Sequence, residues 1–118
     1  MAVNDDAFAE VQGPYLASRR VSALSATTGT VDIDLNVSGL RTVTLSGNLT
    51  ITTSNKGAGK SVTGKILCDG TGRTLTFPSW KWVCATPSSI AANKTGIFTV
   101  TFFGSAEADG VAAWAVEP

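Results

Sequence analysis

From Arg20 onward, aliphatic residues alternate with polar ones in short runs separated by glycine, asparagine and aspartate. Val31, Ile33, Leu35 and Val37 alternate with Asp32, Asp34 and Asn36, a period of two that puts the aliphatics on a core face and the carboxylates outside. Leu40 to Leu45, then Ser46-Gly47-Asn48, then Leu49 to Thr53 read as strand, turn and strand. Runs of this kind at 20–25, 29–37, 40–46, 48–54, 61–68, 73–78, 80–85, 96–104 and 111–116 give eight or nine strands. Ile97 to Phe103 is apolar and β-branched with only partial alternation, which predicts a central strand covered on both faces and the heart of the core. Turn residues at Ser46 to Asn48, Asn55 to Gly59, Asp69 to Gly72 and Ala108 to Gly110 imply hairpins, so the expectation is an all-β, antiparallel sandwich or barrel. No fixed-length repeat is visible, which weighs against a long fibre shaft.

Residues 1–19 carry a different pattern. Asp5 to Val11 allow one or two helical turns with Phe8 and Val11 on one side, and Gly13-Pro14 then stop them. The chain therefore divides into an N-terminal arm, 1–19, and a β domain, 20–118. The arm reads either as a frayed terminus or as a segment that orders against a neighbouring subunit.

With 43% hydrophobic residues and much serine and threonine, the 118-residue chain suits half-buried strands and carries enough apolar surface for one core. Formal net charge is zero, but from Arg41 to Lys94 there are seven basic residues and the one acid Asp69. That bias reads either as solvated edges and loops or as a basic face for an acidic partner. The basic residues are scattered and lack an organising motif, so no nucleic-acid partner is expected. The start lacks a basic segment and an apolar run, so no secretory signal is expected, and no stretch approaches the length of a membrane span. Cys68 and Cys84 have no metal-ligand spacing and read as two free, buried thiols.

Candidate chemistry is sparse. Lys56-Gly57-Ala58-Gly59-Lys60-Ser61 resembles the end of a phosphate-binding loop, but Ser54 stands where the first glycine belongs and a strand follows in place of a helix. Asp32 with Asp34, and Glu107 with Asp109, are carboxylate pairs two residues apart, and there is no histidine to assist them. Neither catalysis nor a cofactor or metal is expected. Trp80 and Trp82 flank Lys81, so a strand would project both indoles to one face, either as a platform for a glycan or as filling of the core or a subunit interface. Sequons at Asn36, Asn48 and Asn93 carry little weight without a signal sequence.

Asp69 to Pro78 followed by Trp80-Lys81-Trp82, with Thr42 to Thr50 upstream and Gly96 to Phe102 downstream, resembles β-rich domains of tailed-bacteriophage virion proteins. The resemblance implies a jelly-roll or related sandwich that assembles as an oligomer, a trimer being favoured, on a virus particle made in the host bacterial cytoplasm. A short chain beginning at Met1 suits a capsid decoration or cement protein bound to the major capsid protein or other virion proteins. A tail, baseplate or fibre-tip module and a carbohydrate-binding module are the alternatives. Partner-binding candidates are Phe8, Tyr15, Arg19, Arg20, Trp80 and Trp82.

Overall fold

The computed structural model describes residues 20–37 and 39–118; the arm at 1–19, with Phe8, Tyr15 and Arg19, lies outside the described residues. Ten strands follow one another: β1 (Val21–Ala23), β2 (Gly29–Asp34), β3 (Leu40–Thr44), β4 (Leu49–Ser54), β5 (Ser61–Leu67), β6 (Arg73–Thr76), β7 (Lys81–Trp82), β8 (Ser89–Ile90), β9 (Thr95–Phe102) and β10 (Gly110–Val116). A short 3₁₀ turn, Glu107–Asp109, precedes the last strand. The strands make two mixed sheets, one ordered β1-β3-β5-β9-β10-β7 and the other β2-β4-β6-β8. Among the described residues no helix is long and apolar enough to cross a membrane.

The all-β expectation holds, but the expected antiparallel hairpins give way to a different connectivity. From β1 to β6 consecutive strands alternate between the sheets, and each of β1 to β4 pairs in parallel with the strand two places on. The chain thus winds as three stacked rungs, β1 with β2, β3 with β4, and β5 with β6. Among the described residues antiparallel pairing is confined to β5 with β9, β9 with β10 and β6 with β8, while β7 joins β10 in parallel. Jelly rolls are antiparallel throughout, so this pairing does not follow theirs. The physical reason is that a period of two fixes which face a residue takes and leaves the identity of the neighbouring strand open. The rungs differ in length, since Val21 pairs with Leu40 and Leu40 with Thr63, and so leave no fixed period in the sequence.

The corners stack as well. Ser46-Gly47-Asn48 carries the chain from β3 in one sheet to β4 in the other, and it lies against the corner of the rung before. There Ser46 N–H donates to Thr27 O at 3.0 Å, Gly29 N–H donates to Asn48 O at 2.9 Å, and the Thr27 and Ser46 hydroxyls meet at 2.8 Å. Asn48 Oδ1 then accepts from Thr74 N–H in the following rung at 2.9 Å. A side chain at 47 would collide with Thr28 Oγ1, which explains the glycine.

Alternation builds one core between the sheets. Val31 and Ile33 of β2, Leu49 and Ile51 of β4, Val62 and Ile66 of β5, and Phe98, Val100 and Phe102 of β9 point inward and are all but inaccessible. β9 alternates strictly, with Phe98, Val100 and Phe102 buried and Ile97, Thr99 and Thr101 exposed, so this central strand is covered on one face only, a correction to the two-sided expectation. Val37 is exposed because β2 stops at Asp34 and the chain turns, and the run at 80–85 shortens to the two residues of β7.

Three glycines open space for three aromatic rings. The Phe98 ring lies over Gly64 on β5, where a Cβ would come within 2.3 Å of it; Trp114 lies likewise over Gly96, and Phe102 over Gly110. Replacing Gly64 with alanine overpacks this seat and is expected to lower unfolding free energy by about 1–3 kcal/mol in a urea titration. Gly70→Ala, with nothing within 4 Å of its Cβ, is expected to leave the midpoint nearly unchanged.

Candidate functional site

The side chains that read as chemistry in the sequence are engaged inside the fold. Trp80 is buried at 4% exposure, and its indole N–H donates to Glu107 Oε2 at 2.8 Å. The same carboxylate accepts from the Thr53 hydroxyl, and Lys56 Nζ lies 3.7 Å from its other oxygen. Glu107 therefore ties the 3₁₀ turn to β4 and to the aromatic cluster, and it does not work beside Asp109, whose Oδ2 accepts from Ala106 N–H at 3.0 Å. Trp80 and Trp82 are brought together, their ring centroids 5.6 Å apart, but inclined at 39° and packed with Phe77 and Phe98. Two coplanar, exposed indoles are what a sugar ring needs, and Trp80 has no ring face at the surface. Trp82 Nε1 is enclosed without a hydrogen-bond partner among the described residues. Trp114 is half-buried on the same cluster.

The basic residues of the middle segment do not gather into a face. Arg41 is 7% exposed and its guanidinium donates to the carbonyls of Leu40, Asp34 and Val37, holding the corner between β2 and β3. Lys60 Nζ donates to Asn36 Oδ1 and to Asn55 O, so the loop that resembles a phosphate cradle is bound to its own rungs. Arg73 forms two bonds to Asp69, at 2.9 and 2.6 Å, and Lys94 donates to Pro118 O. Arg20 is exposed at the start of β1, and its carbonyl accepts from Leu40 N–H at 2.7 Å.

Asp32 and Asp34 stand on the outer side of β2, where Thr52 and Ser54 hydroxyls donate to Asp32 and the Asn55 amide donates to Asp34. Among the described residues no three histidine, cysteine or acidic side chains gather as a metal site. Both cysteines are free, but only Cys68 is buried; Cys84 is exposed, a correction, because β7 has ended and the chain there leaves the sheet.

The chain matches no protein-family model, no curated protein and no solved structure.

The remaining feature is a surface, the outer face of the six-stranded sheet. In register across it run Val21, Leu40, Thr63, Thr99 and Ala113, then Ala23, Thr42, Lys65, Ile97 and Ala115. Small, hydroxylated and aliphatic side chains tile this face, and Lys65 is the single charge within those two rows. Three shallow hollows of about 320, 380 and 380 Å³ lie on it, and Ile97, 50% exposed, lines all three. Sequence reasoning passes over Ile97 because the run from 97 to 103 is apolar enough to read as covered on both sides. The signal that marks it is that Thr99 and Thr101 share its parity.

Acid response follows from two carboxyls. The Asn55 side-chain hydrogen bond, then the Asn36 backbone N–H, with the nearby Lys60 and Arg41 charges, hold Asp34 below its ordinary value of 3.8; the Arg73 hydrogen bond and charge do the same for Asp69. Depressed folded values mean the stability from these groups is complete above the ordinary carboxyl range and is lost as pH falls through the lowered values. Melting temperature measured from neutral to strongly acid pH is expected to fall in that window, and Asp69→Asn is expected to flatten the fall; an unchanged acid profile in the variant would contradict the Asp69–Arg73 pair.

Proposed function

We propose that this protein is a non-catalytic structural module that works by surface contact, most directly as a capsid decoration or cement protein of a tailed bacteriophage. The observation that carries the reading is the outer face of the six-stranded sheet, where Val21 and Ile97 are exposed among threonine and alanine side chains and three shallow hollows adjoin Ile97, since apolar side chains gathered on one exposed face mark interaction surfaces. Support also comes from what the polar side chains do. Glu107, Arg41, Lys60, Asp69 and Arg73 bond within the fold and hold its corners and turns, which leaves no convergent set of charged groups facing a cleft among the described residues.

Such a protein acts by geometry. Burying a rigid face against neighbouring subunits removes apolar area from water and spans the seam between them, and complementary charge at the rim fixes the register. The major capsid protein is the partner this reading implies. The resemblance of residues 40–104 to phage virion domains gives the reading its setting.

One observation favours a second reading, a tail or fibre-tip module. The three rungs stack in parallel with their corners bonded to one another, an arrangement that extends by adding rungs and suits a projecting part. A glycan platform made by Trp80 and Trp82 has no comparable support, since Trp80 is enclosed.

Quantitative mass spectrometry of purified virus particles from the source culture separates the two readings. The decoration reading expects this chain at a copy number of the same order as the major capsid protein. A far lower ratio would assign it to the tail, and absence from particles would overturn the virion reading.

A further inference from the structure

We infer that the outer face of the six-stranded sheet binds a second copy of this chain, face to face about a two-fold axis that passes beside Ile97. The inference deepens the structural-module reading and rests on it, but it does not need the virion setting.

Four features of the face select a second copy. The first is area. The strands run from the two residues of β7 to the eight of β9, and at about 4.8 Å spacing and about 3.3 Å rise they cover a footprint of roughly 500 Å², the small end of specific interfaces. The second is flatness. Thr63, Thr99, Ala113 and Ala115 are short enough to let two sheets approach to the ~10 Å of ordinary sheet packing. The third is the centre. Ile97 projects from β9, an inner strand of the sheet, with half its surface exposed and a hollow on each side, the position an anchoring side chain takes at an interface.

The fourth is charge, and it fixes the symmetry. Lys65 lies on β5, one strand to one side of β9, in register with Ile97. Glu117 lies just past β10, one strand to the other side, beside Thr95, whose N–H it accepts at 2.7 Å through Oε1. Both line the same hollow with Ile97. A two-fold axis in the plane of contact, drawn midway between Lys65 and Glu117, exchanges the two positions. Each copy's Lys65 then faces the other's Glu117, and the two Ile97 side chains meet next to the axis. A self-complementary patch of this kind is what an isologous contact requires. Lys81, on the edge strand β7, is exposed and falls at the rim of this face. The reciprocal exchange selects a pair of copies in preference to the trimer expected from the resemblance.

Sedimentation velocity of the full chain across the micromolar range tests this. The wild-type protein is expected to form a two-copy species. Ile97→Glu is expected to weaken it by about thirtyfold or more, the scale of losing a central anchor, with an unchanged circular dichroism spectrum because the side chain is exposed. Lys65→Glu alone is expected to weaken association, and Lys65→Glu combined with Glu117→Lys to restore it. A wild-type chain that stays monomeric, a two-copy species indifferent to Ile97→Glu, or a charge-swapped variant no better than the single one would each overturn the inference. Particles lacking the chain would remove the virion reading and leave this contact standing, whereas a monomeric chain found at capsid stoichiometry would do the reverse.

Discussion

The fold depends on one contact more than any other, the seat of the Phe98 ring over Gly64. Up to β6 the chain is a coil whose strands pair in parallel, and beyond β8 it is an antiparallel pair, β9 with β10. The two parts share a sheet only through β5 and β9, where Gly64 and Phe98 are direct partners. With no Cβ at 64, the ring can lie over the strand and pack against Phe77 and Trp80, with Trp114 against Phe77 in turn. That seat brings Ile97 beside Lys65 on the opposite face, so the same contact that closes the core also makes the outer surface continuous.

Polar groups in this protein are spent on architecture. A buried guanidinium left without acceptors would carry a desolvation cost of a few kcal/mol, and Arg41 avoids it by taking three carbonyls at a corner the chain must turn. Glu107 gathers an indole N–H from Trp80 and a hydroxyl and an ammonium from Thr53 and Lys56 at the end of β4. Such groups look like site residues in a sequence because they are charged or aromatic and closely spaced. In the fold they are corner and turn ties, and the surface left for contact is the quieter one of threonine, alanine and isoleucine.

Much of the strand content is legible in the sequence, because inward and outward positions differ in kind. Val31 with Ile33 and Leu49 with Ile51 declare their strands, and the bounds fall within a few residues of the runs that predict them. Pairing is not legible in this way. Ser46-Gly47-Asn48 has the composition of a hairpin turn, yet its glycine serves close packing against Thr28 of the rung before, a contact no local pattern encodes. β8, two residues long between Pro87 and Asn93, carries too little periodicity to stand out. Gly64 and Gly96 inside strand runs were the available sign that rings pass close to the backbone, since a glycine there weakens a strand unless something fills its place.

The seat of Phe98 on β5 requires the parallel winding that brings β5 beside β3, and nuclear Overhauser contacts between backbone protons test that winding most directly. Contacts are expected that place Thr42 beside Lys65 and Val43 beside Ile66 in parallel register, with none that pair β3 with β4. Antiparallel contacts between β3 and β4 across Ser46-Gly47-Asn48, with Val43 opposite Ile51, would contradict it.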